Sequence, residues 1–177
     1  MPRTNISRTA TAYIALGSNL GNRGEHLLSA VDALHTLGTV RAVSSFYETA
    51  PVGTIAQPDF LNAVAELQTE LAPLTLLASL LQIEQQHGRD RDASPPKGPR
   101  TLDLDLLACD DLVLETPTLT LPHPALAERQ FVLVPLAEIA PGWRHPLLAR
   151  TAAQLLRTLL QTAGSNPAAV RKFLRPM

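Results

Sequence analysis

The chain has 177 residues, enough for one domain with a substantial core and too few for a second catalytic domain. It is 45% hydrophobic and 18% charged with a formal net charge of -1, so no global field draws it to nucleic acid or to an anionic membrane. The single cysteine, Cys109, excludes an intrachain disulfide, and the polar start "MPRTNISRTAT" lacks a secretory core. No run approaches the roughly 20 apolar residues of a membrane span, so the expected compartment is the cytosol.

Residues 1–10 read as a flexible extension, and "TAYIALGSN" (Thr11–Asn19) predicts a buried strand ending in a glycine turn. The helix that follows places Leu27, Leu28, Val31 and Leu34 on one face, with Gly38 as its stop. "TVRAVSSFYET" predicts one strand. "FLNAVAELQTEL" predicts another, with Leu61, Ala63, Ala65 and Leu67 on one face and Phe60 and Asn62 on the opposite one. Between them, Pro51, Gly53 and Pro58 forbid regular structure and leave a loop long enough to work at a site.

Pro73 suits the first turn of a second helix, whose Leu76, Leu77, Leu80 and Ile83 form a stripe. A charged, proline-rich loop, "RDRDASPPKGP", leads into the strand "RTLDLDLLACD". Shorter extended pieces broken by Pro117 and Pro122 come next, then short helical turns in "AERQFVLVPLAEIAP" and a last helix with Leu155, Leu156, Leu159 and Leu160 inward. Strand, helix, strand, strand, helix, strand is the βαββαβ order of a ferredoxin-like α+β fold, and the later elements can cover the second sheet face to give three layers, αβα.

Alternation along "TLDLDLL" sends Leu102, Leu104 and Leu106 one way and Asp103 and Asp105 the other. Two carboxylates roughly 7 Å apart on one strand face can share a metal or hold two neighbouring ones. With no His or Cys beside them, the matching ion is hard and oxygen-loving, as Mg2+ bound by carboxylates and substrate phosphates is. A bare pair of aspartates more often marks the polar face of an edge strand. Here Arg89, Arg91, Lys97 and Arg100 fall in a twelve-residue stretch shortly before them, and clustered cations beside a metal site suit polyphosphate. Asp90 and Asp92 partly neutralise that cluster. "GSNLGNR" has neither phosphate-loop pattern and reads as a strand-to-helix turn. Phe60 and Asn62 together offer a stacking plane beside an amide, as a stacked heterocycle could use, though an aromatic in the position of Phe60 taken alone more often covers a satellite apolar cluster. His123, between Pro122 and Pro124, reads by itself as a fixed turn histidine.

The set "YIALGSNLGNR", "SSFYETAPVG", "QPDFLNAV", "IEQQHGRDR", "GPRTLDLDLL" and "LPHPALAERQFVLVPLAEIAP" resembles the 6-hydroxymethyl-7,8-dihydropterin pyrophosphokinases of folate biosynthesis, over about residues 12–145. That resemblance implies a ferredoxin-like fold, transfer of pyrophosphate from ATP to the hydroxymethyl of a reduced pterin with release of AMP, and two Mg2+ ions. It implies that Asp103 and Asp105 hold the metals, with Arg89 and Arg100 as further catalytic residues. Phe60 and Phe131 would sandwich the pterin, with Asn62 on its polar edge and backbone near Thr49 and Val52 completing the pocket. Glu84, Arg91, Arg100, Thr120, His123 and Arg129 match positions around ATP.

Lys97 stands where the family often has an aromatic, Thr118 where some relatives have arginine, and "ASPPK" is one residue longer. The expected partners are ATP and the pterin, with no nucleic acid or membrane, and the expected state is a monomer. Two rivals are a two-metal nuclease, which lacks the broad basic surface such an enzyme needs, and a non-catalytic pterin- or nucleotide-binding module of the same fold, against which the paired aspartates speak.

Overall fold

In "FLNAVAELQT" the alternation lasts long enough to make a ten-residue strand, and the rest of the sheet assembles on it. The computed structural model describes residues 9–89, 95–162, 164 and 169–173. Its elements are β1 (Ala10–Ser18), α1 (Arg23–Leu34), β2 (Thr39–Val43), β3 (Tyr47–Thr49), β4 (Phe60–Thr69), α2 (Pro73–Gln86), β5 (Asp103–Cys109), β6 (Leu114–Glu115), β7 (Thr120–Leu121), α3 (Gln130–Ile139), α4 (Ala152–Gln161) and β8 (Val170–Lys172). Both β1 and β5 and β1 and β4 pair antiparallel, while β2 and β3 share the far edge of β4 and β8 pairs with β3. With β2 and β3 taken as one interrupted strand, the order is the fourth, first, third and second strands of the βαββαβ unit. The fold is ferredoxin-like, as the sequence suggested.

Two apolar layers lie on the two sheet faces. One joins Ile14, Leu16, Leu61, Ala63 and Leu104 to Leu27 and Leu34 of α1 and Leu76 and Leu80 of α2. The other joins Tyr13, Val64, Leu107 and Ala108 to Val132, Leu133 and Leu136 of α3 and Ala152 and Leu155 of α4. A bulge in β5 makes this possible. Tyr13 faces Ala108 and Ile14 faces Leu106, so Leu107 is an additional residue; Leu107 and Ala108 join the second layer while Leu106 and Cys109 stay in the first.

Several expectations need correction. The predicted strand over 39–49 is broken at Ser44, whose N–H bonds Val64 O at 2.9 Å and whose Oγ accepts from Val64 N at 3.0 Å, so a side chain replaces a ladder partner. Instead of short turns, the proline-containing segment forms the ten-residue α3; burial of Val132, Leu133 and Leu136 outweighs the missing N–H of Pro135. Leu28 and Leu160 are 37% and 36% exposed, because the buried positions turn toward Ala30 in α1 and toward Ala152 and Leu155 in α4. The strand β8 has no sequence signal in its three residues. Gly38 does more than end a helix: a Cβ there would lie 2.1 Å from Gln68 O, so only glycine lets the chain enter β2 so close to β4. Of the predicted extension, residues 1–8 lie outside the described residues, and Ala10 already belongs to β1.

Candidate active site

Strands β1, β4 and the edge strand β5 run beyond the cover of α3 and α4, and what they expose there is the site. On β1 the face residues become Ala15 and Gly17, on β4 Phe60 and Asn62, and on β5 Asp103 and Asp105. All six line one pocket with Thr49, Val52, Lys97, Arg100, Arg129 and Phe131. Gly17 keeps the middle open. A Cβ at that position would stand 3.1 Å from Asn62 Oδ1 and within 4 Å of both Phe60 and the Cβ of Asp103.

One end of the pocket is aromatic and amide-lined. Phe60 is 8% exposed and Asn62 is 7% exposed, and the Asn62 amide donates to Thr49 Oγ1 at 2.7 Å. That bond fixes the amide orientation and turns Oδ1 toward Gly17. Val52, on the loop between β3 and β4, is 63% exposed, and Phe131 enters from the first turn of α3 beneath the Arg129 guanidinium, 5.6 Å from its ring centroid.

The other end is ionic. Arg89 pairs with both Glu84 and Asp103 and donates to Leu102 O at 3.2 Å. Arg100 Nη2 meets Asp103 Oδ2 at 2.9 Å, and its guanidinium rests 4.9 Å from the Phe60 centroid, joining the two ends of the site. Arg100 Nε is buried with no acceptor among the described residues. Glu84, 1% exposed, accepts from Leu104 N at 2.7 Å and from Arg89 at 2.8 Å, so it lies behind β5 and aims Arg89 at Asp103.

Burial raises the Asp105 pKa, and the charge of Asp103 raises it further against the opposing pull of His123, Arg129 and Arg100. A carboxylate whose charged form is opposed by burial and by a neighbouring carboxylate suits a cation beside it. Among the described residues no cluster of three or more His, Cys, Asp or Glu is available for a metal. This donor set therefore fits an ion that completes its coordination with water and substrate oxygens. Burial lowers the His123 pKa against the pull of Asp105, and its Nδ1 accepts from Ala125 N at 3.1 Å, leaving Nε2 to carry the proton of the neutral ring.

Of the residues singled out from sequence, Asp103, Asp105, Arg100, Phe60, Asn62, Thr49, Val52, Phe131 and Arg129 meet in the one pocket, and Arg89, Glu84 and His123 act on its carboxylates. Thr120 is exposed on β7, opposite Glu115, and is not part of the pocket wall. Arg91 lies outside the described residues.

Sequence reasoning missed Asn19. Its amide donates to Gln57 Oε1 and Pro58 O, both at 3.0 Å, and its Oδ1 accepts from Arg100 N at 2.8 Å. Gln57 in turn donates to Lys97 O at 2.9 Å. The glycine turn after β1 thus ties the loops on both sides of the pocket. Lys97 sits at φ 60°, a left-handed conformation unusual for a side chain of its length.

Residues 13–141 match the family model described as 7,8-dihydro-6-hydroxymethylpterin-pyrophosphokinase. A Pseudomonas aeruginosa protein named 2-amino-4-hydroxy-6-hydroxymethyldihydropteridine pyrophosphokinase is 48% identical over 136 residues, covering 76% of this chain and 83% of its own. The folic acid synthesis protein fol1 of Schizosaccharomyces pombe is 40% identical over 142 residues, which are 79% of this chain but 19% of that protein. A crystal structure of Plasmodium falciparum HPPK-DHPS superposes with a TM-score of 0.72 at 16% identity, covering 96% of this chain and 47% of that one, a likeness of fold.

Proposed function

The chain belongs to the 7,8-dihydro-6-hydroxymethylpterin-pyrophosphokinase family, and from that premise we propose how its pocket works. The enzyme transfers the pyrophosphoryl group of ATP to the hydroxymethyl of 6-hydroxymethyl-7,8-dihydropterin, a step of folate biosynthesis that leaves AMP. The observation that carries this reading is the division of one pocket into an aromatic, amide-bearing end and a carboxylate and arginine end, with Arg100 touching both.

At the first end Phe60 and Phe131 stack on the pterin, Asn62 bonds its polar edge, and the backbone near Thr49 and Val52 closes the rim. Because Thr49 already orients Asn62, the amide meets the heterocycle without a search of rotamers. At the other end Asp103 and Asp105 would hold two Mg2+ ions, which when bound neutralise triphosphate charge and lower the pKa of the attacking hydroxyl. Both Asp103 oxygens are held by arginines, and the guanidiniums of Arg89 and Arg100 would be on hand for the phosphate oxygens of a bound nucleotide. The orphaned Arg100 Nε gains an acceptor in the process, removing a penalty of about 1–3 kcal/mol.

Arg91, Thr120, His123 and Arg129 serve the nucleotide, His123 as a neutral donor. Glu84 serves it through Arg89. No side chain is needed as a strong general base, since phosphoryl-type transfer draws its rate from positioning and charge neutralisation. The same reading has the enzyme act as a monomer in the cytoplasm on two small molecules. A net charge of -1 and the lack of a membrane-length apolar helix among the described residues support its indifference to nucleic acid and to spanning a membrane.

Calorimetry with a non-hydrolysable ATP analogue and the pterin, with and without Mg2+, tests the proposal. Tight nucleotide binding that requires Mg2+ is the expected result, while pterin binding with metal-indifferent nucleotide would instead fit a non-catalytic module.

A further inference from the structure

The loop from Ala50 to Pro58, which brings Val52 to the pterin end of the pocket, is poorly anchored by apolar burial: Val52 and Ile55 are 63% and 42% exposed. Its position depends on polar ties. At its C-terminal end these are the Gln57 and Pro58 contacts to Asn19. At its base are Glu48, just before Thr49, and Asp59, just before Phe60, and two arginines grip both.

Arg23, the first residue of α1, donates through Nη1 to Asp59 O and through Nη2 to Glu48 Oε1, each at 2.8 Å. Arg171 of β8 reaches Glu48 Oε2 at 3.5 Å and Asp59 Oδ2 at 3.8 Å. The strand carrying it pairs Arg171 with Glu48 and Val170 with Thr49, and the next residue, Phe173, donates its N–H to Phe46 O and lies 6.0 Å from the Arg23 guanidinium. One guanidinium bridging a carboxylate and a carbonyl on opposite ends of a loop reinforces the spacing that the Thr49–Phe60 pair of the β3–β4 ladder already sets. A second does the same from the C-terminal strand.

We propose that Arg23 and Arg171 are positioning residues for the pterin, acting through the two ends of this loop, and that β8 is thereby a working part of the substrate pocket. The proposal rests on the pterin reading of the site. A loop held in place before the substrate arrives leaves less ordering to be done on binding, so the clamp acts on pterin affinity and not on the transfer step. It also makes an unusual demand. A neutral pterin has no direct reason to bind more weakly in salt, yet a clamp of partly exposed ion pairs loosens as ionic strength rises.

Steady-state kinetics on the full chain, followed as AMP formed, separates the possibilities. For Arg23→Ala the pterin KM should rise about fivefold, and for the more exposed Arg171→Ala about twofold, with kcat and the ATP KM unchanged. Arg23→Lys, which can keep only one of the two contacts, should lie between. In the wild type the pterin KM should climb between about 0.05 and 0.5 M NaCl, and in an Arg23→Ala, Arg171→Ala double variant that dependence should be lost. Melting curves identify any variant that is simply unfolded, and Arg171→Ala, on an exposed edge strand, serves if Arg23→Ala is. An active wild type whose pterin KM ignores both substitutions would overturn the clamp while leaving the pterin reading intact. A wild type that forms no AMP with pterin would overturn both.

Discussion

One face of the sheet has two halves built from the same three strands. Where α3 and α4 cover it, β1, β4 and β5 present Tyr13, Val64, Leu107 and Ala108, all buried. Beyond that cover they present Gly17, Asn62, Phe60, Asp103 and Asp105 around an open pocket. The β1–β4 ladder is continuous through both and the β1–β5 ladder is interrupted only by the bulge at Leu107, so the main difference lies in the side chains and in what lies over them. One half supplies stability, and in the proposed reading the other leaves its two carboxylates partly exposed for chemistry.

Substitutions should sort by half. The largest effect belongs to the open one: Asp103→Asn or Asp105→Asn keeps size but removes charge, and turnover should fall by several orders of magnitude while the melting temperature moves little. Stopped-assay AMP formation and calorimetry read the two. In the covered half, Leu133→Ala should cost about 2–5 kcal/mol of unfolding free energy by urea titration and leave kcat/KM of the folded fraction unchanged. A loss of turnover in this variant, with its stability intact, would break the division.

Much of this was legible in the alternation of two strands. The period-two pattern placed Leu61 and Leu104 on the core side and Asn62, Asp103 and Asp105 on the other, as the structure has them. The pattern could not show the β5 bulge, which depends on how Leu106 and Ala108 register against β1. Nor could it show Asn19, whose partners Gln57, Pro58 and Arg100 are 38 to 81 residues away and meet it only in the fold. Glu138 looks like a solvated helix charge, yet it accepts from Ser45 N, Ser45 Oγ and Tyr47 Oη across the break in the edge strand.

Phe60 lies where the halves' roles meet, a buried ring to which the proposed function gives a ligand. Phe60→Ala should weaken pterin binding by about 1–3 kcal/mol in a fluorescence titration. ATP affinity should change far less, because Arg100 keeps its contacts with Asp103 and Gly98 O. Equal losses for both ligands would make the ring a support for Arg100 and not a stacking surface.

The smallest effect is expected at Glu138→Gln, about 1 kcal/mol of stability with no change in activity. Burial acts to raise the Glu138 pKa, but the bonds from Ser45 and Tyr47 and the charge of Lys172 outweigh it and leave the pKa lowered. A depressed folded-state pKa stabilises above the unfolded value and loses that contribution as pH falls through the folded one. The gap between wild type and variant should therefore be flat near neutrality and close in acid. A gap that widened in acid would contradict the assignment.

The central claim, that the open half carries pyrophosphoryl transfer, is tested most directly by product stoichiometry. With ATP, Mg2+ and 6-hydroxymethyl-7,8-dihydropterin, the protein should form AMP and pterin diphosphate in equal amounts, since attack at the β phosphorus makes AMP the leaving group. ADP as the stoichiometric product would mean attack at the γ phosphorus and would contradict the account.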